Sequence, residues 1–471
     1  MNIKIVLFFF LSISWCISYS QIDINDDIER DVIVGGINIV GNTKTKKAII
    51  YRELEFQLND IIPFNEIDSL VVKSKSNLIN SKLFNFAKIE TSVSKDSVYF
   101  DIGLTERWYT WVFPIFEVAD GDFNTWWKTK NFDRVDYGLL FIQENFRGRR
   151  EIFNLKAISG FNEYLNIDYE VPYINKSEQF GFRFETEVSR RHETSVMTRN
   201  DELVYYNDDE MHPYKKMSFT AGLLYRRRIN VKHALELHFD DYFFADTLQR
   251  INPDFLHSKK THTKFFSLEY VLKRDFRDVA NYPLHGYYFD LFVSKIGLGI
   301  VNEDVDFIRI KSDIKKFWKY KKRWFFASGF SWMYSTQEKQ PYFLNLPMGL
   351  DRYTVRSYEY NVINGNSYCL LRNNLKFALV PTRTAAFDFI PLAQFKKVFY
   401  AFYLNYFVDY GYVHSFQNWE KGNGNHLLDK ILMGSGVGLD FVTYYDKVLR
   451  VEYSWHDGGE GGFFVHFIAP I

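Results

Sequence analysis

The stretch Phe399-Tyr400-Ala401-Phe402-Tyr403-Leu404-Asn405-Tyr406-Phe407-Val408-Asp409-Tyr410-Gly411-Tyr412-Val413 alternates with a period of two. Tyr400, Phe402, Leu404, Tyr406, Val408, Tyr410 and Tyr412 fall on one face; Asn405, Asp409 and Gly411 fall on the other. Successive side chains of an extended chain point to opposite faces, so this is a strand with one apolar and one wet side. A soluble β-sandwich would also alternate, burying one face and solvating the other. What separates the two is how often the aromatic face recurs.

It recurs along most of the chain. In Gln179–Arg191, Phe180, Phe182, Phe184 and Val188 alternate with Arg183, Glu185 and Glu187. In Asp306–Trp318, Ile308, Ile310 and Ile314 oppose Arg309, Lys311, Asp313 and Lys315. Leu165, Ile167, Tyr169 and Val171 oppose Asn166, Asp168 and Glu170. Ring after ring on an outer surface would aggregate in water, but it suits a wall facing lipid with a watery lumen behind it. Aromatic residues make up 19% of the chain. Such runs begin near Trp108, Val135, Ile152, Tyr164, Gln179, Lys216, Val231, Thr263, Gly286, Asp306, Arg323, Ser367, Phe399, Ile431, Val448 and Gly462. The predicted fold is therefore an all-β transmembrane barrel of about sixteen antiparallel strands over residues 107–471, an even number as bacterial outer-membrane barrels have.

The chain ahead of it has a different texture. Residues 1–20 read as a secretory signal peptide, with Lys4 ahead of an apolar Ile5–Trp15 and Ser18-Tyr19-Ser20 before a cut at Gln21. A lipoprotein reading of Cys16 is opposed by the bulk of Trp15. Once the signal is removed only Cys369 remains, so no disulfide framework is expected. Residues 21–31 read as a polar linker. Residues 32–106 read as a small α/β unit. A strand Val32–Val40 turns at Gly41-Asn42 into a helix Thr45–Leu54. A second helix, Glu66–Ser81, carries Ile67, Leu70, Val71, Leu78 and Ile79 at helical spacing. Strands Ala87–Val93 and Ser97–Leu104 follow, joined at Lys95-Asp96.

Four motifs then stand in order. They are Asn145-Phe146-Arg147-Gly148-Arg149; Arg274-Asp275-Phe276-Arg277-Asp278 with Pro283 and Gly286; Val355-Arg356-Ser357-Tyr358; and Phe407-Val408-Asp409-Tyr410-Gly411. Together with the leading β-α-α-β-β unit, the chain resembles the BamA/TamA superfamily, the bacterial surface antigen family, over essentially its whole mature length. The front unit resembles a polypeptide-transport-associated (POTRA) domain. The resemblance implies an outer-membrane location with that domain in the periplasm. It implies insertion or translocation of unfolded outer-membrane or secreted client polypeptides, with accessory proteins or chaperones met through strand addition on the POTRA domain. A single POTRA domain points to a specialised family member. A dedicated secretion translocator for one partner, and a plain channel or structural surface protein, are the alternatives.

The resemblance also marks residues. Val355, Arg356, Ser357 and Tyr358 match the motif of the long sixth extracellular loop, about residues 337–366. A loop that long needs an anchor. A guanidinium grips a carboxylate at two points, so Arg356 is expected to fold inward onto Asp409, with Phe407 and Gly411 beside it. Ser357 replaces the family's usual glycine; a positive φ there would strain it. The barrel seam is expected between its first strand, Trp108–Ala119, which contains Pro114, and its last, Gly462–Ala469, with Phe463, Val465 and Phe467. Proline belongs at a sheet edge. The ending Ile468-Ala469-Pro470-Ile471 departs from the family's usual terminal aromatic.

Other chemistry is not indicated. Gly434-Ser435-Gly436-Val437-Gly438 has glycines alternating on a strand and no helix after it, so it is not a phosphate loop. Its serine lacks the nucleophile-elbow context. The histidines lack zinc-protease spacing, and Asn207-Asp208-Asp209-Glu210 reads as a solvated loop, with a calcium site as the lesser alternative. No enzyme activity, cofactor or metal is expected, and zero net charge gives no reason for a nucleic-acid partner.

Overall fold

The computed structural model describes residues 30–118, 134–256, 260–301, 304–336, 340–349, 353–415, 423–443, 445, 447–459 and 461–467. The signal peptide, most of the linker, the residues after Phe467 and Leu350-Asp351-Arg352 lie outside them.

Residues 31–106 form a four-stranded sheet with two helices. Strand β1 (Asp31–Val40) is followed by α1 (Lys47–Tyr51), β2 (Ile61–Pro63), α2 (Ile67–Asn80), β3 (Phe84–Ser94) and β4 (Ser97–Glu106). The sheet order is β2-β1-β4-β3, with β1 parallel to β4 and the other pairs antiparallel. The short β2 is additional to the sequence reading: three residues between the helices are too few for an alternation to register. The apolar stripe of α2 packs on the sheet, and Val32, Val34, Leu78, Val98 and Phe100 are nearly or fully buried. The Phe56 ring stacks on Phe100. At one edge, the Thr91–Ser94 end of β3 is exposed.

The remaining strands are β5 (Thr110–Val118), β6 (Val135–Phe146), β7 (Glu151–Gly160), β8 (Glu163–Val171) and β9 (Phe180–Arg191). Then come β10 (Glu193–Arg199), β11 (Glu202–Asn207), β12 (Tyr214–Tyr225), β13 (Val231–Phe244), β14 (His262–Asp275) and β15 (Gly286–Ile296). The last seven are β16 (Phe307–Lys319), β17 (Trp324–Ser335), β18 (Ser367–Ala386), β19 (Lys397–His414), β20 (Ile431–Thr443), β21 (Val448–His456) and β22 (Gly461–His466). All but β10 and β11 join one 16-stranded antiparallel sheet, each next to its chain neighbour, from β5 at one end to β22 at the other. The sixteen anticipated runs are these sixteen strands. The extra pair, β10–β11, forms a separate hairpin.

The faces divide as lipid and water demand. On β19, Leu404, Tyr406 and Tyr410 are exposed outward, while Asn405, Phe407 and Asp409 are fully buried. Phe184 and Val188 on β9, Ile308 and Ile314 on β16, and Val451, Tyr453 and Trp455 on β21 are likewise exposed. Inside, charges meet charges: Arg183 on β9 donates to Asp168 and Glu185, and Arg450 donates twice to Asp440. No helix is long and apolar enough to cross a membrane among the described residues; strands do the crossing.

The two ends of the barrel differ. The small domain docks on the end where the connections are short. Asn145 in the first motif donates to Thr45, and Lys46 N donates to the Gly148 carbonyl. Gly148 has a φ of +71°, and a Cβ there would lie 2.1 Å from the Lys44 carbonyl oxygen, so glycine is required. Asn80, at the end of α2, reaches Arg277 and Ala280 in the second motif. A buried ion cluster joins the two bodies: Glu53 accepts from Arg226 at 2.6 and 2.9 Å and from Arg150 at 3.0 Å. Burial alone would raise the Glu53 carboxyl, but Arg226 and then Arg150 outweigh it and bring it down to about 2. Behind this contact lies a cavity of about 700 Å³ lined by, among others, Asn80, Arg150, Lys232 and Asp275.

The opposite end has a packed layer of its own. A second apolar core brings together Val196 and Met197 of the hairpin, Phe244, Leu248, Phe255, Phe265 and Tyr342. The hairpin tip, Asn200-Asp201, has both residues at positive φ. Asp201 accepts from the backbone N–H groups of His426 and Leu427, and its carbonyl accepts from Val362. The hairpin therefore lies across the barrel and ties two loops together. Asp208 holds its own turn, accepting from the N–H groups of Glu210 and Met211; Asp209 pairs with Arg134.

Candidate functional site: an inward loop held on the barrel wall

Three neighbouring strands set up a receiving surface inside the barrel. Register places Arg372 of β18 opposite Asp409 of β19, and Asp409 opposite Gly434 of β20. One step along, Asn374, Phe407 and Gly436 stand in line. The row is thus polar, aromatic and small in turn, with a groove where the glycines lie.

The loop between β17 and β18 turns into that groove. Arg356 Nε donates to Asp409 Oδ2 at 2.7 Å and Nη2 donates to Oδ1 at 2.6 Å. The Arg356 backbone N–H lies 3.3 Å from the same carboxylate, and Nη1 donates to Asn374 Oδ1 at 2.9 Å. The guanidinium sits 3.7 Å from the centre of the Phe407 ring. Arg356 is 2% exposed and Asp409 is fully buried. A desolvated pair is costly unless both partners are saturated with hydrogen bonds. Here a fork–fork pair, a side-chain amide and a ring face supply them.

The neighbours fix the loop tip. Val355 is buried with Met348, Ile363, Leu370 and Leu432. Tyr358 donates to Asp457 at 2.6 Å and stacks on His456. Ser357 adopts a φ of +84°, the left-handed region that glycine enters freely and serine does not. The wall answers with glycines. A Cβ on Gly434 would lie 1.9 Å from the Arg356 carbonyl oxygen, and one on Gly411 would lie 2.4 Å from Val355 Cγ2. Gly434 of β20 is therefore a seat for the loop, while a Cβ on Gly436 would meet the Phe407 ring at 2.5 Å. Ser435 Oγ between the two donates to the Phe407 carbonyl across the ladder.

A second buried constellation lies below, toward the small domain. Asp440 of β20 accepts from Arg450 of β21 at 2.5 and 2.8 Å and from the Tyr282 hydroxyl at 2.6 Å, all buried. Tyr282 belongs to the β14–β15 connection, which therefore folds into the lumen from its own end. Asn374, Tyr282, Asp440 and Glu53 are not singled out by the sequence reading. The glycine alternation in β20 was the signal for the seat; the others depend on partners far along the chain.

At the expected seam, β5 pairs only with β6 and β22 only with β21 among the described residues. Pro114 sits in β5 opposite Leu139. Phe463 and Val465 on the six-residue β22, and Phe467 just after it, are 57–76% exposed. Phe464 and His466 turn inward.

Comparison with known proteins agrees with this geometry. Residues 145–455 match the Omp85 superfamily domain. A search of curated proteins found no match. Among solved structures, BamA from Haemophilus ducreyi lacking POTRA domains 1–3 aligns with a TM-score of 0.51 at 14% identity, over 92% of this chain and 83% of that one. CdiB from Escherichia coli aligns with a TM-score of 0.49 at 10% identity, over 96% and 92% of the two chains. CdiB from Acinetobacter baumannii gives a TM-score of 0.45 at 14% identity, over 92% of this chain and 73% of that one. At such identities the likeness is one of fold. With the family domain spanning most of a sixteen-stranded barrel behind a POTRA-like unit, this chain belongs to the Omp85 superfamily, the non-enzymatic outer-membrane proteins that insert or transport polypeptides.

Proposed function

We propose that this protein inserts client strands into the outer membrane at the junction of β5 and β22, with residues 32–106 as the periplasmic delivery unit and 107–471 as the barrel. The observation that carries this reading is the state of the terminal strands. Each has a ladder partner on one side only among the described residues, β22 is six residues long, and β5 contains Pro114. Unpaired backbone at a strand edge is a template for another strand. A client strand that pairs there satisfies its own N–H and C=O groups and turns its apolar face to lipid, which supplies the driving force without nucleotide. The exposed Thr91–Ser94 edge of β3 offers a second place for extended clients or chaperone-bound segments.

The lumen argues against passage of a dedicated secreted partner down the bore. The inward loop is seated in it beside β18–β20, and the hairpin is tied to loops at the outer end. Transport by that route would have to displace the seated loop and break the buried Arg356–Asp409 pair.

Depletion followed by a proteome-wide inventory of the outer membrane tests the reading. Loss of several barrel proteins is the expected result. Loss of one secreted protein would instead favour the translocator, and an unchanged inventory with altered solute conductance would favour a channel. A disulfide stapling β5 to β22 should abolish client insertion; a stapled barrel of full activity would overturn the role of the junction.

A further inference from the structure

Close to the loop seat, the inward loop and the last two strands bring one ligand atom each to a point. Glu359 lies just beyond Tyr358 in the inward loop, Glu452 lies on β21 and His466 on β22. His466 Nε2 is 3.1 Å from Glu359 Oε1 and 3.4 Å from Glu452 Oε1, and the three ligand atoms lie within 4.8 Å of one another. Glu452 is 1% exposed, and neither of its carboxylate oxygens has a hydrogen-bond partner. His466 Nε2 is likewise buried without a well-directed hydrogen bond to either carboxylate. The nearest guanidinium, Arg450, has its Nε 3.9 Å from Glu452 and is held by Asp440. Two carboxylates thus face one imidazole, and the deeper carboxylate accepts no hydrogen bond, an arrangement that is expensive without a cation, whether an imidazolium or a metal ion.

We propose that Glu359, Glu452 and His466 form a zinc-class divalent metal site that fastens the last strand to the inward loop. Tetrahedral zinc has metal–ligand bonds of about 2.0–2.2 Å to carboxylate oxygen and imidazole nitrogen, which sets neighbouring ligand atoms about 3.3 Å apart. The two separations from His466 match that spacing. Two glutamates and a neutral imidazole around a divalent ion leave no net charge, which suits a buried position. A fourth position is left for water on the side of Glu359 and His466, whose side chains are 18% and 24% exposed. Calcium and magnesium prefer more numerous, all-oxygen ligands and fit the trio poorly. Among transition ions, copper and nickel compete by intrinsic affinity. A second trio, Glu236, His238 and Glu269, also lies within reach of a common point. There Glu269 accepts from Ser294, His238 meets Thr220 and Glu236 faces Arg183. Its polar atoms are spoken for, so it serves as the control.

The consequence is mechanical. Strand β22 has one ladder partner among the described residues, and the metal would add a bond from its inward face to β21 and to the loop. Metal loading would therefore raise the cost of peeling β22 from the barrel. This inference stands on the geometry of the trio and not on the insertion reading, because binding is measured on purified protein.

The test is calorimetric titration of zinc into chelator-stripped full-length protein in detergent, with cobalt as a spectroscopic probe. One equivalent should bind, cobalt should give the intense visible bands of a four-coordinate ion, and zinc should raise the unfolding midpoint. Glu359→Gln, in the loop and outside the barrel ladder, should weaken binding at least tenfold. Glu452→Gln should do the same while removing the unsatisfied buried charge, so a stable but non-binding variant is the expected outcome. Glu269→Gln should bind like the parent. No stoichiometric binding, an octahedral cobalt spectrum, or binding indifferent to Glu359→Gln and Glu452→Gln would overturn the proposal. In that case His466 acts only as an ion-pair partner of the two carboxylates.

Discussion

Replacing Arg356 with alanine would remove the guanidinium bonds to Asp409 and Asn374 and the contact with the Phe407 ring. It would also leave the fully buried Asp409 with the 3.3 Å backbone N–H of residue 356 as its hydrogen bond from the loop and the Arg372 guanidinium of β18 as its nearby charge. Breaking one side of a buried pair costs about 3–5 kcal/mol. The surviving backbone contact places this case near the lower end, about 3 kcal/mol, which shifts the seated-to-released ratio of the loop by about a hundredfold. The assay is hydrogen exchange and limited proteolysis of residues 337–366 in the detergent-folded barrel, alongside the unfolding midpoint in denaturant. Arg356→Lys should fall between the parent and Arg356→Ala, because an ammonium cannot reproduce the two-point grip. The double variant Arg356→Met with Asp409→Leu should recover much of the stability, since the stranded charge is gone. If Arg356→Ala lowers stability by less than about 1 kcal/mol, and the loop is no more open to protease than in the parent, the pair is not what holds the loop.

Other outcomes follow from the same geometry. Gly434→Ala places a methyl within 1.9 Å of the Arg356 carbonyl oxygen, so the loop should be displaced and its protection lost even with the ion pair intact. Ser357→Gly should stabilise the seated loop by about 1 kcal/mol, because the φ of +84° costs serine but not glycine; an unchanged or lowered unfolding midpoint would contradict this. Docking of the small domain should depend on acid. Glu53 falls from an ordinary 4.5 to about 2 in the folded protein, so its contribution is fully present above pH 4.5 and is lost as pH drops toward 2. Crosslinking between α1 and the β12–β13 turn should decline over that window, and Glu53→Gln should remove the dependence.

Sixteen strands were legible because lipid and water enforce a period of two on every one of them, as in Leu404 to Tyr410. The hairpin β10–β11 escaped notice. Its strands are short and packed on other loops rather than on lipid, and its one signal was the Asn200-Asp201 turn, where both residues take positive φ. Arg356 and Asp409 could be matched in advance because motif resemblance named both ends. Asn374 could not, since only the β18–β19 register sets it beside Phe407. The glycines of β20 were read as alternating along a strand, but what Gly434 makes room for depended on where the loop lands. Glu53 and Arg226 are separated by 173 positions, and nothing local in either stretch announces the other. The seam residues Pro114 and Phe463 were picked by their position at the chain ends of the barrel, a feature that topology alone supplies.

The packed layer at the outer end also bears on life at a cell surface. Met197, Phe255 and Tyr342 pack together there, and Asp201 fastens the hairpin to two loops. Backbone held in this way is a poor substrate for proteases, which cut exposed loop tips. The hairpin and the two loops it fastens are thereby shielded on the side that faces the surroundings.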